Sequence, residues 1–239
     1  MKLLKTMTSL ALLLGAPAAW AIPTAVQDFE DGTTQGWTAG GGPLGAAPPV
    51  LPALAAGGPG GPADHFLRIV SGVGAGGSGS NLVAINRDAW DGDYLAAGLT
   101  SVTADLRNFG TSDLYIRLLV IDVDNNRIAS TGAVFLPAGG DWTAGAFSLA
   151  AGDLLAGLGA VDDLLQSVTE LRIWGTGDPN AVFRPGDNRQ NAVSGVLGVD
   201  RLTPDVFGNG AGVVPAPATA WLALLGLLGA GGARRWRRH

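Results

Sequence analysis

The sequence predicts an all-β fold, a β-sandwich with one short helix, and three observations lead to it. The chain of 239 residues contains 38 glycines and 14 prolines, which favour turns and interrupt helices. Short segments in which apolar and polar residues alternate recur between these turn signals, as in half-buried strands. Only one segment repeats its apolar residues near the helical period of 3.6. These features exclude a helical bundle or a coiled coil.

The alternating pattern predicts nine strands. In 101–106, Val102, Ala104 and Leu106 alternate with polar residues, so the three share one face of a strand. The segment 122–127 (DVDNNR) between two predicted strands is typical of a hairpin turn. The predicted strands are 26–31, 66–71, 81–86, 101–106, 114–121, 128–135, 144–149, 168–174 and 197–202.

Two segments depart from this pattern. The leucines of 152–167 recur near a 3.6-residue period, which predicts the single short helix. The segment 39–62 consists almost entirely of Gly, Ala, Pro and Leu, and we expect a long loop there.

Composition and charge exclude several classes of function. The chain has no cysteine, so it has no disulfides, no thiolate zinc site and no cysteine nucleophile. All 20 acidic residues but only nine arginines lie between residues 6 and 233, which gives this body a net charge of about −11 by count. A body with this charge repels phosphate backbones, so we expect no nucleic-acid partner.

The N-terminus has the pattern of a secretory signal peptide. Lys2 and Lys5 precede an apolar run, and Ala19-Trp20-Ala21 forms a small-x-small cleavage site. Cleavage after Ala21 predicts a mature protein that begins at Ile22. The alternative is a buried N-terminal helix.

The C-terminus combines an apolar run with a basic end. Residues 218–233 carry no charge, and arginines including Arg234 and Arg235 follow. With a few preceding residues the run is long enough to cross a bilayer at about 1.5 Å per residue. Arginine clusters stay on the cytoplasmic side, so the body is expected outside the inner membrane.

This arrangement resembles the PEP-CTERM sorting signal of Gram-negative bacteria. The matching features are Pro215 and Pro217, the apolar helix, and the terminal arginines; Ala216 replaces the usual glutamate. The resemblance implies an exosortase-type protease as partner, a transient inner-membrane intermediate, and release to the cell surface or polysaccharide matrix. A permanent single-span anchor is the alternative. The predicted layout is a signal peptide at 1–21, the sandwich at 22–205, a linker at 206–213 and the sorting signal at 214–239.

The ends of the body carry a second resemblance. Residues 28–32 (DFEDG), the pair Gly36-Trp37 and residues 198–202 (GVDRL) resemble jelly-roll carbohydrate-binding modules and galactose-binding-like domains, and 142–174 resembles laminin-B-like domains. In the jelly-roll modules a structural calcium joins the acid of the first strand to that of the last. The resemblance therefore implies calcium between Glu30 and Asp200. The alternative places Asp31-Gly32 in a plain turn and Asp200 at an exposed position.

Aromatic residues are the remaining candidates for ligand contact. Trp90 and Tyr94 lie in the polar segment 88–94 (DAWDGDY) with Asp91, where rings that stack on sugars and hydrogen-bond acceptors come together. We predict that these three residues contact a carbohydrate, and the polar segment 183–191 could join the same rim. The alternative is that the tryptophans belong to the core.

No constellation of residues indicates catalysis. His65 alone would have to serve any Ser-His-Asp system, since His239 lies in the tail. The segment 122–133 begins like a calcium-binding EF-hand but lacks its glycine and glutamate. We therefore predict a non-enzymatic exported protein that associates with extracellular polysaccharide. The alternatives are a structural surface protein without a ligand and, less favoured, a glycan-active enzyme.

Overall fold

A computed structural model describes residues 26–39, 51–71, 81–122, 127–183 and 193–206. Within them, two antiparallel sheets pack face to face around one hydrophobic core, which confirms the predicted β-sandwich. The elements are β1 (Thr38–Ala39), β2 (Ala53–Gly58), β3 (Gly61–Ser71), β4 (Leu82–Asn86), β5 (Leu99–Asn108), β6 (Leu114–Asp122), β7 (Ile128–Ser130), β8 (Val134–Leu136), β9 (Thr143–Ser148), β10 (Leu155–Leu158), α1 (Val161–Leu165), β11 (Val168–Thr176) and β12 (Gly195–Val206).

The larger sheet has seven strands and the smaller has five. The strand order of the larger is β1-β4-β11-β6-β7-β10, with β8 also paired to β6. The smaller has the order β2-β3-β12-β5-β9. The last of the described strands, β12, thus lies in the middle of its sheet. An isolated antiparallel bridge between Gln27 and Leu202 places the first described segment beside β12.

The core follows the alternation of the strands. Val102, Ala104 and Leu106 on β5 are all buried between the sheets, as the sequence predicts. The β6–β7 hairpin is present as well, with Ile121 opposite Ile128. Since burial of apolar surface contributes about 25 cal/mol per Å², these interior faces supply most of the driving force for the fold.

An aromatic cluster stands on the outer face of the five-stranded sheet. Leu197 and Val199 point into the core, so Gly198 between them faces outward. The rings of Phe66 and Phe109 stack there with centroids 5.3 Å apart, and Trp142 meets both rings edge-on. A Cβ atom built at Gly198 would lie 2.7 Å from Phe109 and 2.8 Å from Trp142. Glycine is therefore required where the rings meet the strand.

The predicted helix over 152–167 is wrong in extent. A 3₁₀ turn spans Ala151–Asp153, β10 follows, and only α1 is helical. Leu155 pairs with Ser130 of β7, and Gly159 adopts φ 76°, a conformation that ends regular structure. The hydrogen bonds between β10 and β7 at the sheet edge favour a strand here, although the spacing of the leucines favours a helix.

The predicted long loop over 39–62 is also wrong in its second half. Residues 53–58 form β2, which pairs with β3 from Ala53 opposite Arg68 to Gly58 opposite Gly61. Small residues fit this edge strand because partnership with β3, rather than side-chain volume, holds it in place.

Two other predicted strands are shorter than expected. Segment 26–31 contributes only the Gln27 bridge, because Phe29 has φ 60° and leaves the extended conformation. Segment 128–135 divides into β7 and β8.

Within the described residues, no helix is long and apolar enough to cross a membrane. The predicted signal peptide and sorting signal lie outside the described residues, as does the predicted linker 206–213 except for Val206, which ends β12.

Candidate functional site

The predicted stacking residues Trp90 and Tyr94 are core residues. Each is fully buried, at 0% exposure. The Trp90 indole Nε1 donates a hydrogen bond to Gln27 Oε1 at 2.9 Å, and the Tyr94 hydroxyl donates to the Trp90 carbonyl at 2.8 Å. Burial, with the nearby charge of Asp91, raises the pKa of Tyr94 above its usual value. Neither ring has a face open to a sugar, which corrects the prediction for this pair.

Gln27 is the polar centre that fixes these aromatic residues. Its Oε1 accepts from both the Trp37 and the Trp90 indoles, each at 2.9 Å, and its Nε2 donates to the Gln35 carbonyl at 3.1 Å. The side chain is 7% exposed, so water does not replace these bonds. Gln27 thereby anchors the start of the loop that contains Asp91.

Asp91 lies at a cavity beside this loop, at one end of the β11 strand. The cavity has a volume of about 260 Å³. Main-chain hydrogen bonds between Gly92 and Val168, at 2.8 and 3.0 Å, join its two walls. The lining residues are Asp91, Gly92, Asp93, Gln166, Ser167, Val168 and Thr169. We call this space the Asp91 cavity.

The polar groups of the Asp91 cavity differ in whether they already form hydrogen bonds within the protein. Asp93 Oδ1 accepts from the Ala96 amide at 2.8 Å. The side chains of Gln166, Ser167 and Thr169 donate to main-chain carbonyls at 3.2 to 3.4 Å. The Asp91 carboxylate accepts no hydrogen bond from the described residues. The polar atoms of the cavity that are still free to form hydrogen bonds are therefore mainly acceptors, which suits ligands with hydroxyl groups.

Of the residues that line this cavity, Asp91 alone is singled out from the sequence. Gln166, Ser167 and Thr169 follow α1, far along the chain from Asp91. The Gly92–Val168 bridge and the hydrogen bond from the Tyr94 amide to the Leu165 carbonyl, at 2.8 Å, bring the two segments together. No local sequence pattern signals such a bridge.

Glu30 and Asp200, the predicted calcium ligands, are in contrasting environments. The exposed Glu30 carboxylate accepts from the His65 amide at 2.6 Å and contacts the His65 ring Nδ1 at 3.3 Å. These bonds hold the pKa of Glu30 below its usual value. Asp200 is only 1% exposed, and its Oδ1 accepts from the Arg201 amide at 2.7 Å.

Asp200 is a buried carboxylate with one unused oxygen. Arg201 has φ 48° at a β-bulge, and Asp200 Oδ2 has no hydrogen-bond partner. Burial raises the pKa of Asp200 to about 7, with the charges of Asp64 and Asp105 adding to the rise and the bond from Arg201 opposing it. The expectation that Asp200 is either a ligand or an exposed residue thus misses its burial.

The described residues do not form a calcium cage around this pair. Among them, no group of three or more His, Asp or Glu side chains could hold a metal ion, whereas calcium takes six to eight oxygen ligands. Glu30 is engaged by His65, and only Asp200 Oδ2 is free. A calcium ion between Glu30 and Asp200 stays a prediction.

The predicted processing residues Ala21, Pro215, Pro217, Arg234 and Arg235 lie outside the described residues. Of segment 183–191, the structure describes only Phe183, which packs edge-on against Trp174 with centroids 5.5 Å apart.

Comparisons with known proteins give relatives in fold but not in sequence. No protein-family model and no curated protein matches the chain. An exo-β-agarase structure matches with a TM-score of 0.51 and 11% identity, over 75% of this chain and 25% of the agarase. The chain thus spans about a quarter of that enzyme's length. This likeness shows the fold alone.

Carbohydrate-binding modules are also among the structural neighbours. A family 11 module from Clostridium thermocellum, solved with a β-1,3-1,4-mixed-linked tetrasaccharide, matches over 77% of this chain and 96% of its own, with TM-score 0.46 and 11% identity. The family 27 module CBM27-1 of Caldicellulosiruptor saccharolyticus, solved with mannohexaose, matches over 76% and 96%, with TM-score 0.45 and 12% identity.

Proposed function

We propose that this protein is a non-catalytic module that associates with extracellular polysaccharide through the Asp91 cavity. One observation carries the proposal: the Asp91 carboxylate borders a cavity and has no internal hydrogen bond within the described residues. Such a carboxylate can accept hydrogen bonds from sugar hydroxyls. Hydrogen bonds to charged groups are stronger than those between neutral groups.

The size of the cavity indicates what part of a glycan it takes. Its volume of about 260 Å³ is just below the ~300–1,000 Å³ of sites for drug-sized ligands. The cavity therefore accommodates about one sugar ring of a longer chain. Among the described residues that line it, none is aromatic. Association is expected to be weak for a single site.

Binding of neutral polysaccharides to the full-length protein tests this proposal. Asp91→Ala should weaken binding at least about tenfold, since a hydrogen bond to a charged group contributes ~1.5–3 kcal/mol. Asp88→Ala is the matched control, because Asp88 is exposed in the same loop, carries the same charge and does not line the cavity. Equal binding by both variants and the wild type would contradict the role of the cavity. Absence of any glycan binding would favour the purely structural alternative.

The proposal includes export and C-terminal sorting. The signal-peptide pattern before Ile22 and the proline, apolar and arginine segments of the tail support it. An exosortase-type protease is the proposed processing partner, the inner membrane holds the intermediate, and the cell surface or matrix is the destination. Deletion of residues 234–238 should impair sorting, whereas surface protein that retains its full mass would indicate a permanent anchor.

A further inference from the structure

The Asp91 cavity carries negative charge that the described residues do not neutralise. Asp91 and Asp93 both line it. Each is partly exposed, and Gln166, Ser167 and Thr169 on the other side are exposed, so a ligand has access from solvent. Neither carboxylate forms an ion pair with a described arginine or histidine. Two charges at the cavity are therefore available to a ligand.

The carboxylates that flank the cavity are paired, in contrast to the two inside it. Asp122 lies on the strand beside the cavity wall and accepts from Arg127 Nη1 at 3.0 Å. Glu170, on the same strand as the wall, is bonded by Arg87 at 2.6 Å and also by Arg172. These arginines neutralise the flanking acids, so the uncompensated charge is confined to the cavity itself.

The side chains that line the cavity offer mainly hydrogen-bond acceptors. The Ser167 and Thr169 hydroxyls donate to main-chain carbonyls at 3.3 and 3.4 Å. Since a hydroxyl has one hydrogen, each oxygen is left as an acceptor. Gln166 Nε2 donates one hydrogen to a main-chain carbonyl at 3.2 Å and retains the other. Apart from that amide hydrogen, the lining side chains have only acceptors to offer.

This combination of charge and acceptors favours one substituent of a sugar ring. A carboxylate only accepts hydrogen bonds and is repelled by the charge, and an acetamido group brings a carbonyl acceptor that finds few donors. A hydroxyl both donates and accepts. A protonated amine has three donors, no acceptor and a positive charge, so it matches the lining in every respect. Its hydrogen bonds to carboxylates are of the stronger, charge-assisted kind.

We propose that the Asp91 cavity selects an amino sugar with a free, protonated amine, as in a polysaccharide that contains de-N-acetylated hexosamine units. Asp91 and Asp93 supply the opposite charges. The proposal rests on the proposed function in placing one ring of a glycan in this cavity, and it adds the charge of that ring. The net charge of the body, about −11 by count, attracts a cationic polysaccharide from a distance.

Three tetrasaccharides with the same β-1,4-linked backbone test the proposal. Those of glucosamine, glucose and N-acetylglucosamine differ only in the C2 substituent, which is an ammonium, a hydroxyl or an acetamido group. In a buffer that keeps the amine protonated, the full-length protein should bind the glucosamine tetramer at least about tenfold more tightly than cellotetraose. That factor corresponds to ~1.4 kcal/mol. The N-acetylglucosamine tetramer should bind no more tightly than cellotetraose.

Asparagine variants separate the charge from the hydrogen bond. Asp91→Asn keeps an oxygen acceptor and removes the charge, so it should remove most of the preference for the amine while cellotetraose still binds. Asp88→Asn is the matched control, because Asp88 is exposed in the same loop and does not line the cavity. Without ligand, Asp91→Asn should melt like the wild type, since the Asp91 carboxylate accepts no hydrogen bond from the described residues. A loss of binding is then not a loss of folding.

A capped peptide of four lysines tests whether the amine alone is sufficient, since it presents as many ammonium groups without a sugar ring. It should bind more weakly than the glucosamine tetramer. Equal binding that survives Asp91→Asn would indicate general attraction to an acidic protein, and equal binding that is lost in Asp91→Asn would indicate a basic peptide as partner. Either result would overturn the selection of an amino sugar.

The remaining outcomes distinguish this proposal from the proposed function. Equal affinity for the glucosamine tetramer and cellotetraose, with both lost in Asp91→Ala, would refute the preference for an amine and leave the cavity as a glycan site. Binding of the tetrasaccharides that no Asp91 variant alters would refute both. Absence of binding by all three would overturn the amine site, and the neutral polysaccharides would then decide the proposed function on their own.

Discussion

Replacement of Gln27 by methionine should be among the most destabilising single changes in this sandwich. Methionine keeps the length and approximate volume of the side chain but removes the Oε1 acceptor shared by the Trp37 and Trp90 indoles. Both indoles are buried, at 1% and 0% exposure, so water cannot reach them. A buried donor that loses its acceptor costs about 1–3 kcal/mol. The two together predict a loss of ~2–6 kcal/mol.

Urea or thermal unfolding of the full-length protein, followed by tryptophan fluorescence, measures this loss. A domain of this size shifts in melting temperature by roughly 2–4 °C per kcal/mol, so Gln27→Met should melt at least about 4 °C lower. Gln166→Met is the matched control, since Gln166 is exposed and surface changes stay within about ±0.5 kcal/mol.

A double-mutant cycle identifies the bond itself. Trp37→Phe removes one of the two donors, so it should cost less in the Gln27→Met background than in the wild type. If Gln27→Met is no more destabilising than Gln166→Met, or if the two changes are additive, the shared acceptor does not hold this part of the core together.

Three further predictions concern other parts of the chain. Gly198→Ala should lower the free energy of unfolding by about 1–3 kcal/mol because the new Cβ would overlap the Phe109 ring. Gly132→Ala is the control, since its Cβ meets open space, and it should leave the melting temperature unchanged or higher. Equal effects of the two changes would contradict the packing argument. The pKa of Asp200, about 7, is above the unfolded value near ~4, so the folded state holds the proton more tightly and the free energy of unfolding should fall as pH rises from about 4 to 7. Asp200→Asn should reduce this dependence of the unfolding free energy on pH. If calcium binds between Glu30 and Asp200, it should stabilise the wild type but not this variant. Identical melting of the wild type in calcium and in chelator would contradict the metal prediction. N-terminal sequencing of exported protein should begin at Ile22, and material that retains residue 1 would refute the signal peptide.

The sequence predicts those features that depend on local periodicity. Val102, Ala104 and Leu106 are buried as expected because strand alternation is itself the physical rule for which face enters the core. The prediction for Trp90 fails for a different reason. Its polar neighbours indicate an exposed loop, but the acceptor that permits its burial, Gln27, is 63 residues away in the sequence. Long-range partners of this kind leave no local pattern.

The same reason applies to the candidate sites. Asp91 is identified because it lies among other polar residues, whereas Thr169 on the opposite wall of the cavity is one polar residue in an alternating strand. Sequence reasoning therefore finds surfaces that are contiguous along the chain and misses those assembled from separate strands.

The central position of β12 has a consequence for the order of folding. Strands β3 and β5 are not neighbours in the sheet; each pairs with β12, which lies between them. As the chain is synthesised from its N-terminus, the two halves of this sheet stay unjoined until residues 195–206 are available. Pairing between such distant segments is slow, because loop closure precedes the gain from contacts. The five-stranded sheet can therefore close only after nearly the whole described chain is available, whereas every strand of the seven-stranded sheet precedes residue 177.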